Sequence, residues 1–290
     1  MRNFNVILGL LLAPLVQLSA QVTVEVKLEQ EQFLPGEALP VTVKIRNRSG
    51  QTLRMGREAN WLMFSVESRD GFVVTKSGES PVLGEFTLES SQVATKKVDL
   101  APYFALTRPG RYSVIATVRI REWDGQASSA PQSFDIINGA KLWSQEFGVP
   151  PAAGTTNQPP EIRRYTLQQA NYLREQLRLY LLLTGESESR ILKVVSIGPL
   201  VGLSQPEPRV DQRSRLHLLY QNGARTFSYT VINPDGEIIV RQTHEYIGSR
   251  PRLQTGKDGN ISVIGGARRV TGNDLPVPPK KEDEPKPPKP

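Results

Sequence analysis

The 290-residue sequence predicts a mainly β fold in two successive parts. Three observations carry that expectation. Apolar residues recur at every second position in many short runs, the mark of strands with one buried and one wet face. Turn-forming clusters such as Pro35-Gly36, Arg69-Asp70-Gly71 and Asn233-Pro234-Asp235-Gly236 separate those runs. In the later half, Ser204-Gln205-Pro206 returns 45 positions on as Ser249-Arg250-Pro251.

Residues 1–20 have the form of a secretory leader. A short start bearing Arg2 precedes the apolar run Val6 to Val16, then Gln17-Leu18-Ser19-Ala20, with cleavage expected after Ala20. The apolar run is shorter than the ~20 residues a spanning helix needs. No Cys follows it for a lipid anchor. The mature chain is therefore expected to be exported and not transmembrane. The sequence contains no cysteine, which rules out disulfides, thiol catalysis and thiolate metal sites.

The expected first β-rich part covers residues 21–138. Val22, Val24, Val26 and Leu28 alternate with polar residues, and Leu39, Val41, Val43 and Ile45 repeat the pattern beyond the Pro35-Gly36 turn. Further strands are expected at Trp61 to Val66, Phe72 to Thr75, Val93 to Leu100, Val114 to Ile120 and Ser133 to Ile137. Seven or eight short strands with turns between them make a two-sheet sandwich. The segment Pro109-Gly110-Arg111-Tyr112-Ser113-Val114 resembles the tyrosine-bearing corner of immunoglobulin-like and fibronectin-type-III-like sandwiches. Phe33-Leu34-Pro35-Gly36-Glu37 resembles the first turn of many bacterial domains of that kind, a proteinase-inhibitor family among them. The resemblance implies that the Tyr112 hydroxyl bonds the backbone and that Trp61 or Phe64 is an inner aromatic. It implies little about function, because such sandwiches host many.

Residues 139–160, rich in Pro and Gly, are expected to form an irregular linker. Leu142, Trp143 and Phe147 would pack onto one of the parts it joins. The second β-rich part, 161–272, is expected to open with a helix over Glu161 to Gln176, where Ile162, Tyr165, Ala170 and Leu173 scatter near helical spacing. A hairpin over Leu177 to Ile197 follows, then the duplicated unit. At the 45-residue offset, Val210 matches Thr255, Leu216 matches Ile261 and Leu218 matches Val263. A period of that length with several short strands resembles a β-propeller blade. Two units fall short of the ~4 blades a closed propeller needs, so a compact duplicated β domain is expected. Residues 273–290, rich in Pro and Lys, make a disordered tail.

No catalytic motif is present: there is no Gly-x-Ser-x-Gly elbow, Walker loop or dinucleotide fingerprint. The only histidines, His217 and His244, lie on strand-like runs without a metal-binding spacing and are expected to face solvent. Neither cofactor nor metal is expected. Charge is the remaining signal. Residues 21–150 carry fifteen Lys/Arg and fifteen Asp/Glu, whereas 151–272 carry sixteen and ten, and fourteen of those sixteen cations are Arg. Guanidinium groups suit planar contacts with carboxylate and phosphate. Arg215, Arg225, Arg241, Arg250, Arg252, Arg268 and Arg269 are the candidate contacts with an anionic surface, either lipid head groups or an acidic polymer. Nucleic acid is not expected as a partner of an exported chain. The expected function is that of a non-enzymatic binding or structural protein of a bacterial cell envelope. A protease inhibitor and a polysaccharide-acting hydrolase are the alternatives.

Overall fold

The computed structural model describes residues 21–149, 160–173, 176–187 and 190–276. The expected leader and nearly all of the expected tail lie outside them. Among the described residues the chain is built of β-strands and two short 3-10 turns, and no helix is long and apolar enough to cross a membrane.

The first unit contains β1 (Val22–Leu28), β2 (Gln32–Phe33), β3 (Pro40–Asn47), β4 (Leu53–Met55), β5 (Leu62–Ser68), β6 (Phe86–Leu88), β7 (Val93–Asp99), β8 (Gly110–Ile120), β9 (Gly125–Ser128) and β10 (Gln132–Ile136). One sheet has the order β1-β3-β7, and a second has the order β2-β10-β8-β5 with β9 on β8. Both contribute to one core. Val41, Val43 and Ile45 of β3 are fully buried with Val114, Ala116 and Val118 of β8, as their period-two spacing requires. Tyr112 stacks on Phe134 at 5.5 Å, and its hydroxyl donates to the Arg108 carbonyl at 2.6 Å. The Trp61 indole donates to the Val82 carbonyl at 2.7 Å. The strand expected at Phe72 to Thr75 is absent. Phe72 instead packs edge-on against Tyr112 at 5.6 Å, so its apolar character fills the core rather than a ladder.

The second unit begins at once. β11 (Ala140–Val149) occupies the first part of the expected linker and pairs antiparallel with β12 (Glu161–Leu173). Residues 150–160 therefore connect two neighbouring strands of one sheet. Phe147 is the reason: it stacks on Tyr165 at 4.0 Å inside the second core. β12 replaces the expected helix. Tyr165 and Leu167 face the core, paired with Leu183 and Leu181 of β13 (Gln176–Gly185), while Ala170 is buried on the opposite side. Burial on both sides blurs the alternation, and cross-strand packing overrides helix propensity. β14 (Ile191–Pro199) completes the sheet β11-β12-β13-β14.

The remaining strands are β15 (Glu207–Val210), β16 (Leu216–Gln221), β17 (Thr226–Ile232), β18 (Ile238–Glu245), β19 (Arg252–Thr255), β20 (Ile261–Ile264) and β21 (Ala267–Arg269). The sheet β15-β16-β17-β18-β21 turns Leu216, Leu218, Tyr220 and Ile232 toward Leu179, Leu181 and Leu183. Its other face is covered by the hairpin β19-β20, where Leu253 packs with Leu219, Phe227, Tyr229 and Val231. The repeat is present in the pairing itself. Val210 faces Leu216 and Glu207 faces Leu219, while 45 positions later Thr255 faces Ile261 and Arg252 faces Ile264. The duplicated elements are two hairpins in the same register. They lie in different sheets, so successive four-stranded blades are not formed.

Candidate functional site

The Ser-x-Pro motif precedes the first strand of each duplicated hairpin, and the two first strands, β15 and β19, lie side by side. Arg209 donates to the Thr255 hydroxyl at 2.8 Å, and the Leu253 N–H donates to the Glu207 carboxylate at 3.0 Å. Between them runs a groove of about 890 Å³. The first motif supplies Ser204, Gln205 and Pro206 to its lining, and the second supplies Arg250.

Three arginines line this groove, Arg209, Arg250 and Arg252, against one carboxylate residue, Glu207. None of the three forms an ion pair among the described residues. Arg250 lies over the Phe227 ring, 5.3 Å from its centroid, an arrangement that holds the cation without neutralising it. A second hollow of about 240 Å³, lined by Gln221, Ala224, Phe227, Tyr246 and Arg250, shares Gln221 and Arg250 with the first and extends it.

Of the seven arginines named from the sequence, Arg250 and Arg252 line the groove, and the structure gives the other five other settings. Arg215 is tied to Asp211 at 2.7 Å. Arg225 donates to the Tyr246 carbonyl at 2.9 Å. Arg268 bonds the buried Asp274 at 2.6 Å, and Arg269 lies 3.7 Å from Glu245. Arg241 is on β18, where its backbone forms a two-way bridge with Leu275 at 3.0 Å. Arg209 was missed by a reading confined to charge. No sequence signal singles it out: the 45-residue offset shows that the two hairpins are equivalent, but only the fold sets Arg209 beside the strand that carries Arg252.

Both histidines are buried, contrary to the solvent-facing expectation: His217 is 6% exposed and His244 8%. His217 does occupy the side of β16 opposite Leu216 and Leu218, but the hairpin β19-β20 roofs that side. His217 Nε2 lies 3.1 Å from Asp211 Oδ2, and Nδ1 lies 2.7 Å from the Tyr229 hydroxyl. Burial alone would raise the Asp211 carboxyl. Hydrogen bonds from the Arg215 and Arg213 backbones, the Arg215 side chain and His217 outweigh it and hold Asp211 at about 2. Burial lowers His217 below its usual value, with Asp211 opposing. An ionised carboxylate can only accept, so Nε2 carries the imidazole proton and Nδ1 accepts from Tyr229. The chain Arg215–Asp211–His217–Tyr229 lines neither hollow of the groove. It fastens the Asp211–Arg215 turn to the sheet beneath the roof.

No family model matches the chain, and no curated protein matches it. Among solved structures it is similar to Spo0M, a sporulation control protein from Bacillus subtilis. The identity is 12% and the TM-score 0.32, over 61% of this chain and 89% of that one.

Proposed function

We propose that this chain is an exported, non-enzymatic binding protein of a bacterial cell envelope, with the second unit as its contact surface for an anionic partner. The groove between the duplicated hairpins carries this reading: three arginines face one carboxylate in a concave site, without intramolecular neutralisation among the described residues. Uncompensated guanidinium groups in a hollow raise the local concentration of anions and present bidentate donors to them.

In the same reading the first unit is an immunoglobulin-like sandwich that serves as a support. The bond from Tyr112 to Arg108 and the two sheets around one core agree with that assignment. Export rests on the leader-like residues 1–20, and envelope residence on export together with the Pro/Lys-rich end. The test has two parts. Fractionation of cells producing the tagged chain is expected to place it in the envelope, and retention in the cytoplasm contradicts export. Purified protein is expected to be retained on an immobilised polyanion at low salt and released as salt rises, because screening shortens the reach of exposed charges. Retention unaffected by high salt contradicts the electrostatic contact. Turnover of substrates in a broad hydrolase panel would overturn the non-enzymatic assignment.

A further inference from the structure

The groove's lining says more than its charge does. A lipid surface is flat on the scale of this site, whereas the groove is concave and its volume lies within the ~300–1,000 Å³ of sites that enclose molecules. Beside the arginines it presents the amides of Gln205, Gln221 and Gln254 and the hydroxyls of Ser204 and Thr255. Amides and hydroxyls both donate and accept, which matches the hydroxyl groups of a sugar and adds little for a bare phosphate. Gln221 is fixed in place: its amide nitrogen donates to the Gly223 and Ala224 carbonyls at 3.0 and 3.1 Å, so toward the groove it offers its oxygen as an acceptor.

Apolar surface completes the pattern. Leu203 at the groove's edge is fully exposed and held at φ 64°. That left-handed conformation is disfavoured for a branched side chain. In the adjoining hollow, half-exposed Tyr246 stands near Phe227, the ring that carries Arg250. Aromatic and aliphatic faces receive the C–H faces of pyranose rings. The two adjoining hollows, which share Gln221 and Arg250, thus combine cations, hydrogen-bonding amides and apolar platforms.

From this combination we infer that the groove binds an acidic polysaccharide, a carboxylate-bearing glycan lying extended between β15 and β19. The inference rests on the anionic-partner reading and narrows it to one ligand class. Its test is titration calorimetry of the full chain with three probes: oligogalacturonate, neutral dextran, and vesicles containing phosphatidylglycerol. Oligogalacturonate is expected to bind and dextran not. Arg252→Ala is expected to weaken binding about tenfold, the worth of one hydrogen-bonded charge. Tyr246→Ala should weaken it as well, and Arg111→Ala, far from the groove in the first unit, should leave it unchanged. Arg252 and Tyr246 are exposed, and unchanged melting temperatures verify that these variants fold. Binding to the vesicles but not to oligogalacturonate overturns the glycan inference and leaves the anionic-partner reading standing. Binding to neither overturns both. Oligogalacturonate binding that is equal in Arg252→Ala and the parent removes the groove as the site.

Discussion

His217 is buried without leaving the polar side of its strand, because a second element was laid over that side. Its environment has a definite consequence for pH. Burial lowers His217, and burial followed by the nearby Arg268 cation lowers His244. For a base lowered on folding, the unfolded chain binds more protons, so stability rises with pH. Stability from both histidines is therefore complete above about pH 6.5, the ordinary value, and declines as pH falls toward their folded values. Asp211, held at about 2, acts in the same direction at lower pH. Its contribution is present above the ordinary carboxylate value and is lost as pH falls through about 2. Urea midpoints measured from pH 8 to pH 3 are expected to decline below about pH 6.5 and again below about pH 4. Asp211→Asn is expected to lose about 2 kcal/mol at pH 7, the scale of hydrogen bonds to a charged group. A flat profile, or an Asp211→Asn protein as stable as the parent, contradicts this account of the buried chain.

At the scale of elements, the hairpin β19-β20 decides two things at once: it roofs the sheet and forms one wall of the groove. Its hold is concentrated in Leu253, 4% exposed against Leu219, Phe227, Tyr229 and Val231. Leu253→Ala is expected to cost about 2–4 kcal/mol, as buried Leu truncations do. It should also raise hydrogen exchange in β19 and β20 ahead of β16 and β17, because the hairpin's own strands pair only with each other. Uniform loosening of the whole sheet would contradict the hairpin's separate attachment. The roof also marks the limit of what the sequence discloses. Period two located most strands, since each short run has one apolar side, and the 45-residue offset located equivalent hairpins down to their register. Neither pattern states which element covers which face. So His217 could be assigned its side of β16 but not its burial. Glu161–Leu173 could not be recognised as a strand once Tyr165 and Ala170 were buried on opposite sides. Charge identified Arg250 and Arg252, yet it could not separate them from Arg215 and Arg268, whose partners Asp211 and Asp274 come from turns.

At the scale of the molecule, the two units meet through the turn at Pro35-Gly36. Leu34 beside that turn packs with Ile137, Ala170, Tyr180 and Val194, which places a piece of the first unit against the outer face of the four-stranded sheet. Gly36 adopts φ +78°, and a side chain there would approach Ile191 to 3.0 Å. Glu37 closes the contact, accepting from the Leu34 N–H at 2.8 Å and the Gln30 amide at 3.0 Å. Burial raises its carboxyl above the ordinary value, although those hydrogen bonds and Arg178 oppose the shift. The sign is opposite to that of the second unit's interior. The folded protein holds this proton more tightly, so the contribution of Glu37 grows as pH falls through its raised value and is complete below about 4.5. Glu37→Gln is therefore expected to be at least as stable as the parent at pH 7, with the difference vanishing at pH 4. A marked loss at pH 7 would show that the charge itself secures the interface.

Each unit has its own core, so the contact between them sets whether they unfold together. Tyr180 is the largest side chain in that contact and is 1% exposed. Its removal takes away about 3–5 kcal/mol, the range for buried aromatic truncations. Much of that loss falls on the coupling between the units, because the residues Tyr180 packs with include Leu34 and Ile137 of the first one. Scanning calorimetry of the parent is expected to show a single transition, and Tyr180→Ala to show two. The second unit should melt first, because β13 belongs to it and loses packing on its outer face. The first unit should keep the midpoint that its own core sets. Leu181→Ala, one residue along β13, truncates a side chain that faces the second core. It should lower the second unit's stability without releasing the first. If Tyr180→Ala and Leu181→Ala give the same single, lowered transition, the two units form one cooperative body and the turn at Pro35-Gly36 is not what joins them.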